Sequence, residues 1–249
     1  MSRPWPYAKW IAHRGAGTKL AGLAPENTLA AFRVGAQHGY RMFECDVKLS
    51  ADGVPFLMHD ATLERTTNGI GLGGDQPWDQ LARLDAGSWH SRAFTGEPLP
   101  TFENIARYCL ANGHLLNVEI KPTPGVEAQT GKVVADYAER IWRGQAVPPL
   151  LTSFKPDALQ AAMQAQPQLP RGLLLDKFWD GWWEAAQGLG CVAVVCEHPM
   201  WDAQVVAKVQ GAGMRCLSYT VNEPAAAQRL LALGTDGIIT DRVERFSPA

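Results

Sequence analysis

No stretch of the chain approaches the ~20 consecutive apolar residues needed to span a bilayer. The opening residues, Met1 to Tyr7, lack the apolar core of a secretory signal. The chain is therefore read as a soluble, cytoplasmic protein with no membrane partner. An excess of charge of one sign is also missing: 23 Lys and Arg against 25 Asp and Glu leave a net charge of -2 and a pI near 6.3. Without a basic field, nucleic acid is not an expected partner, and any phosphate must be recognised locally. Cysteine is sparse, with five residues, an odd number, and no CxxC pair. Cys45, Cys109, Cys191, Cys196 and Cys216 read as reduced core thiols rather than a disulfide framework or zinc site. Linkers, low-complexity tracts and repeats beyond a strand-helix rhythm are missing too. A chain of 249 residues, 46% hydrophobic, is then expected to form one large domain over residues 1–249.

What the chain does have is acid inside apolar runs. In Met42-Phe43-Glu44-Cys45-Asp46-Val47, the period-two geometry of a strand turns both carboxylates to one face. Bare anions in an apolar interior must be paired, protonated or bound to a cation. The pattern recurs in Leu115 to Lys121, where alternation groups Asn117, Glu119 and Lys121 before Pro122. Two further apolar runs end at His13-Arg14-Gly15 and at His59-Asp60.

Strands are expected at Lys9 to His13, Arg41 to Val47, Leu115 to Lys121, Leu150 to Phe154, Arg171 to Leu175, Val192 to Glu197, Arg215 to Val221 and Gly237 to Thr240. Helices are expected near Thr28 to His38, Phe102 to Ala111, Glu127 to Trp142, Pro156 to Gln166, Trp182 to Leu189, Ala203 to Ala212 and Pro224 to Leu233. The stripe Phe102, Ile105, Ala106, Cys109 marks the second of these, with Thr101 as its cap. Eight strands alternating with helices in such a length point to an α/β protein with a closed (β/α)8 barrel; an open doubly wound sheet is the alternative. His13, Glu44, Asp46, Glu119, Lys121, Ser153 and Tyr219 fall at or near the carboxyl ends of different strands. A barrel gathers such ends around one mouth, whereas an open sheet spreads them along an edge. The rhythm breaks at residues 47–100, where a hairpin around Ser50-Ala51-Asp52-Gly53 and a Gly-, Asp- and Trp-rich segment read as a small insertion after the second strand.

The sequence resembles the glycerophosphodiester phosphodiesterases, and looks most like their short cytoplasmic bacterial members. The strings that carry the resemblance are His13-Arg14-Gly15, Pro25-Glu26-Asn27-Thr28, Glu44-Cys45-Asp46, His59-Asp60, Glu119-Ile120-Lys121, Tyr219-Thr220-Val221-Asn222 and Asp236-Gly237-Ile238-Ile239-Thr240-Asp241. They run in the family's order along almost the whole chain. The resemblance implies a TIM barrel with a small insertion after its second strand, and metal-dependent hydrolysis of a small-molecule glycerophosphodiester to glycerol 3-phosphate and an alcohol. It implies Glu44, Asp46 and Glu119 as ligands of a divalent cation, His13 and His59 as an acid-base pair, and Arg14 and Lys121 as phosphate contacts. Cys45 departs from the larger apolar residue usual between the ligands, and should face away from the site.

Three carboxylates with no soft ligand suit a hard cation, Mg²⁺ or Ca²⁺. Two histidines on different strands suit proton removal from an attacking hydroxyl and proton delivery to a leaving alkoxide. Phe154 and Tyr219 follow strands at the mouth and are read as lining the alcohol pocket. Asn27 is read first as a helix N-cap. The cluster Trp179 to Trp183 is read as packing at a helix start rather than as a lip for substrate. A phospholipase acting on intact lipid would require an apolar membrane-facing patch or anchor, and a non-catalytic barrel typically loses a histidine or a metal ligand; neither pattern is expected here.

Overall fold

Strand β1 (Trp10–Ala12) is hydrogen-bonded along both edges, to β9 (Gly237–Thr240) on one side and to β2 (Met42–Leu49) on the other. That double pairing closes the sheet. The computed structural model describes residues 5–18 and 22–246. Between β2 and β9 run β4 (Leu115–Ile120), β5 (Leu150–Ser153), β6 (Arg171–Leu175), β7 (Ala193–Glu197) and β8 (Arg215–Tyr219), each parallel to its neighbours. The result is a closed barrel of eight parallel strands, a TIM barrel, with helices between the strands. Those helices are α1 (Leu29–Gln37), α3 (Phe102–Ala111), α4 (Glu127–Trp142), α5 (Pro156–Ala165), α6 (Trp182–Gly188), α7 (Ala203–Gly211) and α8 (Pro224–Ala232). A short α2 (Trp78–Leu81) lies in the segment after β3 (Pro55–Leu57).

Side-chain parity explains both the core and the mouth. Ile11, Met42, Leu150, Leu174, Val195, Leu217 and Ile239 form one buried cluster inside the barrel. Their strand neighbours Ala12, Phe43, Leu151, Leu173, Val194, Cys216 and Ile238 belong to the cluster beneath the helices. One step of two residues further along β1, β2, β5, β6, β7 and β8, the inward column turns polar: His13, Glu44, Thr152, Asp176, Glu197 and Tyr219 line a common cavity. The same step in β4 brings Asn117, Glu119 and Lys121 to that cavity.

The hairpin of β2 and β3 is antiparallel, with Val47 opposite Leu57 and Leu49 opposite Pro55. Its second strand is short, Pro55–Leu57. The Met58 N–H still donates to the Asp46 carbonyl, and the chain then bends, so His59 leaves the ladder at the barrel mouth. The aperiodic stretch that follows is held by a core of its own, in which Phe56, Met58, Leu63, Leu81, Ala86 and Leu99 pack together. It is tied to the barrel where the Ala30 N–H donates to Glu97 Oε1 at 2.9 Å.

Candidate active site

The loop between β1 and α1 is built around strained backbone. Arg14 and Asn27 are the non-glycine residues with positive φ among those described, at 49° and 59°. Asparagine tolerates this region; arginine seldom occupies it, so the surroundings must hold it there. The Asn27 N–H donates to the Arg14 carbonyl at 3.0 Å, and the Arg14 N–H donates to Glu44 Oε2 at 3.0 Å. Asn27 is not the helix cap. Thr28 takes that role by accepting from Ala31 N–H, which frees the Asn27 amide to donate to Asp46 Oδ2 at 2.8 Å and accept from the Asp46 N–H at 3.2 Å. Any residue of PENT with a short polar side chain could have capped, and only the packing of α1 selects Thr28.

Glu44, Asp46 and Glu119 converge as the strand parity requires: one oxygen from each lies within 4.8 Å of the others. Cys45 between them faces the helices. Asp46 is fully buried, and Glu44 nearly so. Burial pushes the Glu44 carboxyl well above its usual range, reinforced by the charges of Asp46 and Glu119. Burial and Asp46 likewise push Glu119 up to about 7. Burial also acts to raise Asp46, but Arg14 and Lys121 outweigh it and hold that carboxyl far below the carboxylate range. Arg14 Nε lies 3.1 Å from Asp46 Oδ2, and Lys121 Nζ lies 3.6 Å from Asp46 Oδ1 and 2.8 Å from Glu119 Oε1. Even so, Glu44 Oε1 and Asp46 Oδ1 are buried with no hydrogen-bond partner. Buried carboxylate oxygens without donors, together with a third carboxylate pushed toward neutrality, fit a hard divalent cation as the missing counter-charge.

Each histidine is aimed by a carboxylate. His13 Nδ1 donates to Asp241 Oδ1 at 2.8 Å, and Asp241 is in turn fixed by the Asn222 amide at 2.8 Å. His59 Nδ1 donates to Asp60 Oδ1 at 2.7 Å. An ionised carboxylate can only accept, so Nδ1 carries the proton in both rings and Nε2 is left to exchange one. His13 Nε2 lies 3.7 Å from Glu44 Oε2. Burial lowers the His59 pKa, with Arg14 and Lys121 adding to the effect and Asp46 opposing it.

Both histidines, Arg14, Glu44, Glu119, Lys121, Phe154 and Tyr219 line one cavity of about 380 Å³. The Phe154 and Tyr219 rings meet edge to face at 5.8 Å, and Lys121 Nζ sits 5.6 Å from the Phe154 ring centre. The Tyr219 hydroxyl is already engaged, donating to the Leu175 carbonyl at 2.9 Å. Tyr219 therefore offers its ring more than its oxygen. Trp182 and Trp183 pack instead with Lys208 of α7, away from the cavity.

Several residues with no assigned role in the sequence have one in the geometry. Asp60 and Asp241 stood inside the strings His59-Asp60 and Thr240-Asp241, but nothing in a one-dimensional pattern says that they hold the imidazoles. Lys48 is buried and donates to the carbonyls of His59 and Lys121 at 3.2 and 3.0 Å. It pins together the two chain ends that carry those side chains, and burial lowers its pKa to about 8.

Comparison with known proteins identifies the family and the fold. The model of the glycerophosphoryl diester phosphodiesterase family matches residues 13–245. A glycerophosphodiester phosphodiesterase of Caldanaerobacter subterraneus is 31% identical over 243 residues, covering 94% of each chain. The solved phosphodiesterase of Oleispira antarctica, in complex with the product sn-glycerol-3-phosphate, superposes with a TM-score of 0.88 at 34% identity, over 95% of this chain and 94% of that one. The glycerophosphodiester phosphodiesterase of Agrobacterium tumefaciens superposes with a TM-score of 0.78 at 26% identity, over 98% of this chain and all of that one.

Proposed function

The chain belongs to the glycerophosphoryl diester phosphodiesterase family of hydrolases, and from that premise we propose that it hydrolyses glycerophosphodiesters with the help of a hard divalent cation and two histidines. The observation that carries the reading is the carboxylate trio, with its two buried unpartnered oxygens, beside a cavity that both imidazoles line. Glu44, Asp46 and Glu119 would hold Mg²⁺ or Ca²⁺, which when bound supplies positive charge opposite the phosphoryl oxygens.

The remaining chemistry belongs to the protein's own groups. Arg14, fixed by Glu26 and Asp46, and Lys121 offer cations to the phosphate without having to reorganise during reaction. One imidazole Nε2 removes a proton from the attacking hydroxyl, and the other delivers one to the departing alkoxide. Their carboxylate partners stabilise each ring in its protonated form, as Asp60 and Asp241 do by accepting from Nδ1. The Phe154 and Tyr219 rings line the space for the alcohol. The hairpin and segment at 47–100 belong to the same catalytic unit, because they supply His59. The Oleispira antarctica relative, solved with sn-glycerol-3-phosphate, supports a glycerol phosphate half in the substrate.

A turnover panel tests this reading. Glycerophosphocholine, glycerophosphoethanolamine and glycerophosphoglycerol are offered to protein freed of metal and then supplied with Mg²⁺ or Ca²⁺, with release of glycerol 3-phosphate as the readout. Turnover should vanish on exhaustive chelation and return with the cation. Full activity in protein shown by elemental analysis to be metal-free would refute the metal, and no release from any diester would refute the substrate class.

A further inference from the structure

Arg65, from the segment after β3, joins two carboxylates with one guanidinium. Its Nε and Nη2 donate to Asp60 Oδ2 and Oδ1 at 2.5 and 3.0 Å. Its Nη1 and Nη2 donate to Glu26 Oε2 and Oε1 at 2.9 and 2.8 Å. A planar group with five donors can fork two acids at once; a lysine ammonium cannot. The chain of contacts continues on both sides. Asp60 Oδ1 also accepts from His59 Nδ1 at 2.7 Å, and Glu26 Oε1 also accepts from Arg14 Nη1 at 2.7 Å. Arg65 itself does not line the cavity.

The two ends of this chain differ in how firmly they are held. Glu26 is nearly inaccessible, with 2% of its side chain exposed, whereas the Asp60 side chain is 26% exposed and sits at the bend after β3. Arg65 thus ties a loosely seated carboxylate to a firmly seated one. We propose that Arg65 is a positioning residue: it locks the Asp60 carboxylate so that the His59 ring keeps its proton on Nδ1 and presents Nε2 to the cavity. This rests on the reading of His59 as one of the acid-base pair. Freed from Arg65, Asp60 can rotate toward solvent. The imidazole then samples both tautomers and orientations, and the productive fraction of enzyme falls while phosphate binding is largely kept.

A double-mutant cycle separates this role from a structural one. Arg65→Met should lower kcat on the order of 10-fold or more, with KM within about 3-fold and secondary structure unchanged. In a His59→Ala background, assayed at high enzyme concentration with the His13→Ala/His59→Ala protein as the floor, adding Arg65→Met should cost less than about 2-fold, because its effect runs through the missing ring. Arg65→Lys keeps the charge and loses the fork, so its kcat should fall between wild type and Arg65→Met. It carries the same cycle if Arg65→Met does not fold. Equal losses in both backgrounds, or near-wild-type kcat in the Arg65 variants, would overturn the proposal while leaving the role of His59 standing. Near-wild-type kcat in His59→Ala alone would overturn both.

Discussion

At the scale of single residues, the proposed mechanism separates the imidazoles, which would exchange protons, from the cations, which would stay charged. His13 and His59 are each anchored through Nδ1 to a carboxylate. Replacing either with Ala should lower kcat by ~10²-fold or more while the far-UV spectrum and melting behaviour stay close to wild type. A variant that retains its kcat would remove that histidine from the mechanism. The carboxylate trio gives a pH signature. Glu44 is raised well above its unfolded pKa and Glu119 to about 7, so the metal-free native state binds protons more tightly than the unfolded chain. Its stability should therefore fall as pH rises from about 4.5 through 7, as these buried acids are forced to ionise. A cation that binds the ionised forms reverses that loss. Differential scanning calorimetry should show a larger Tm increase with excess Ca²⁺ or Mg²⁺ at pH 8 than at pH 5.5, because protons compete for the same oxygens. An equal increase at both pH values would argue against these three residues as the ligands.

At the scale of elements, the site rests on how helices hold the loops that follow strands. Helix α1 presses on the loop carrying Arg14: a Cβ at Gly35 would overlap the Gly15 carbonyl. Gly35→Ala should cost about 1–3 kcal/mol of stability and lower kcat/KM as well, since relief of the clash moves the backbone beside Arg14. Gly211, the last residue of α7, has open space where its Cβ would go. Gly211→Ala should leave kcat/KM unchanged and raise stability by at most ~1 kcal/mol. Chemical denaturation and steady-state kinetics on the pair check both statements. If the two substitutions behave alike, the close contact between α1 and the β1–α1 loop has no bearing on the site.

For the molecule as a whole, the barrel brings two imidazoles, a carboxylate trio and cations to one mouth, with no serine or cysteine among the described residues that line the cavity. We therefore expect the nucleophile to come from water or from the substrate. We expect the glycerol hydroxyl next to the phosphoester to attack phosphorus, displacing the alcohol and leaving a cyclic phosphate that water opens. Intramolecular attack gains the proximity advantage without a separately positioned water. An otherwise identical substrate lacking that hydroxyl should be inert and still inhibit competitively. Its efficient hydrolysis would rule out cyclisation and leave direct attack by water.

The alternation of apolar runs with amphipathic stretches, governed by local geometry, was enough to mark every barrel strand and the helices between them to within a few residues. The same period of two put Glu44 with Asp46 and Asn117 with Glu119 and Lys121, because parity along a strand is a property of the backbone alone. The polar strand ends also pointed to a closed barrel, but the pairing that closes it was not legible. That β1 pairs with β9 as well as with β2 joins residues over two hundred positions apart, and only closure puts His13 beside Asp241. Tertiary structure also decided that Thr28 caps α1 while Asn27 turns to Asp46, that Lys48 binds carbonyls rather than acids, and that Arg65, in a stretch with no periodicity, reaches both Asp60 and Glu26. Each of these choices is a competition among hydrogen-bond partners that a linear pattern leaves equally available. The folded chain resolves it by which donor lies within about 3 Å of which acceptor.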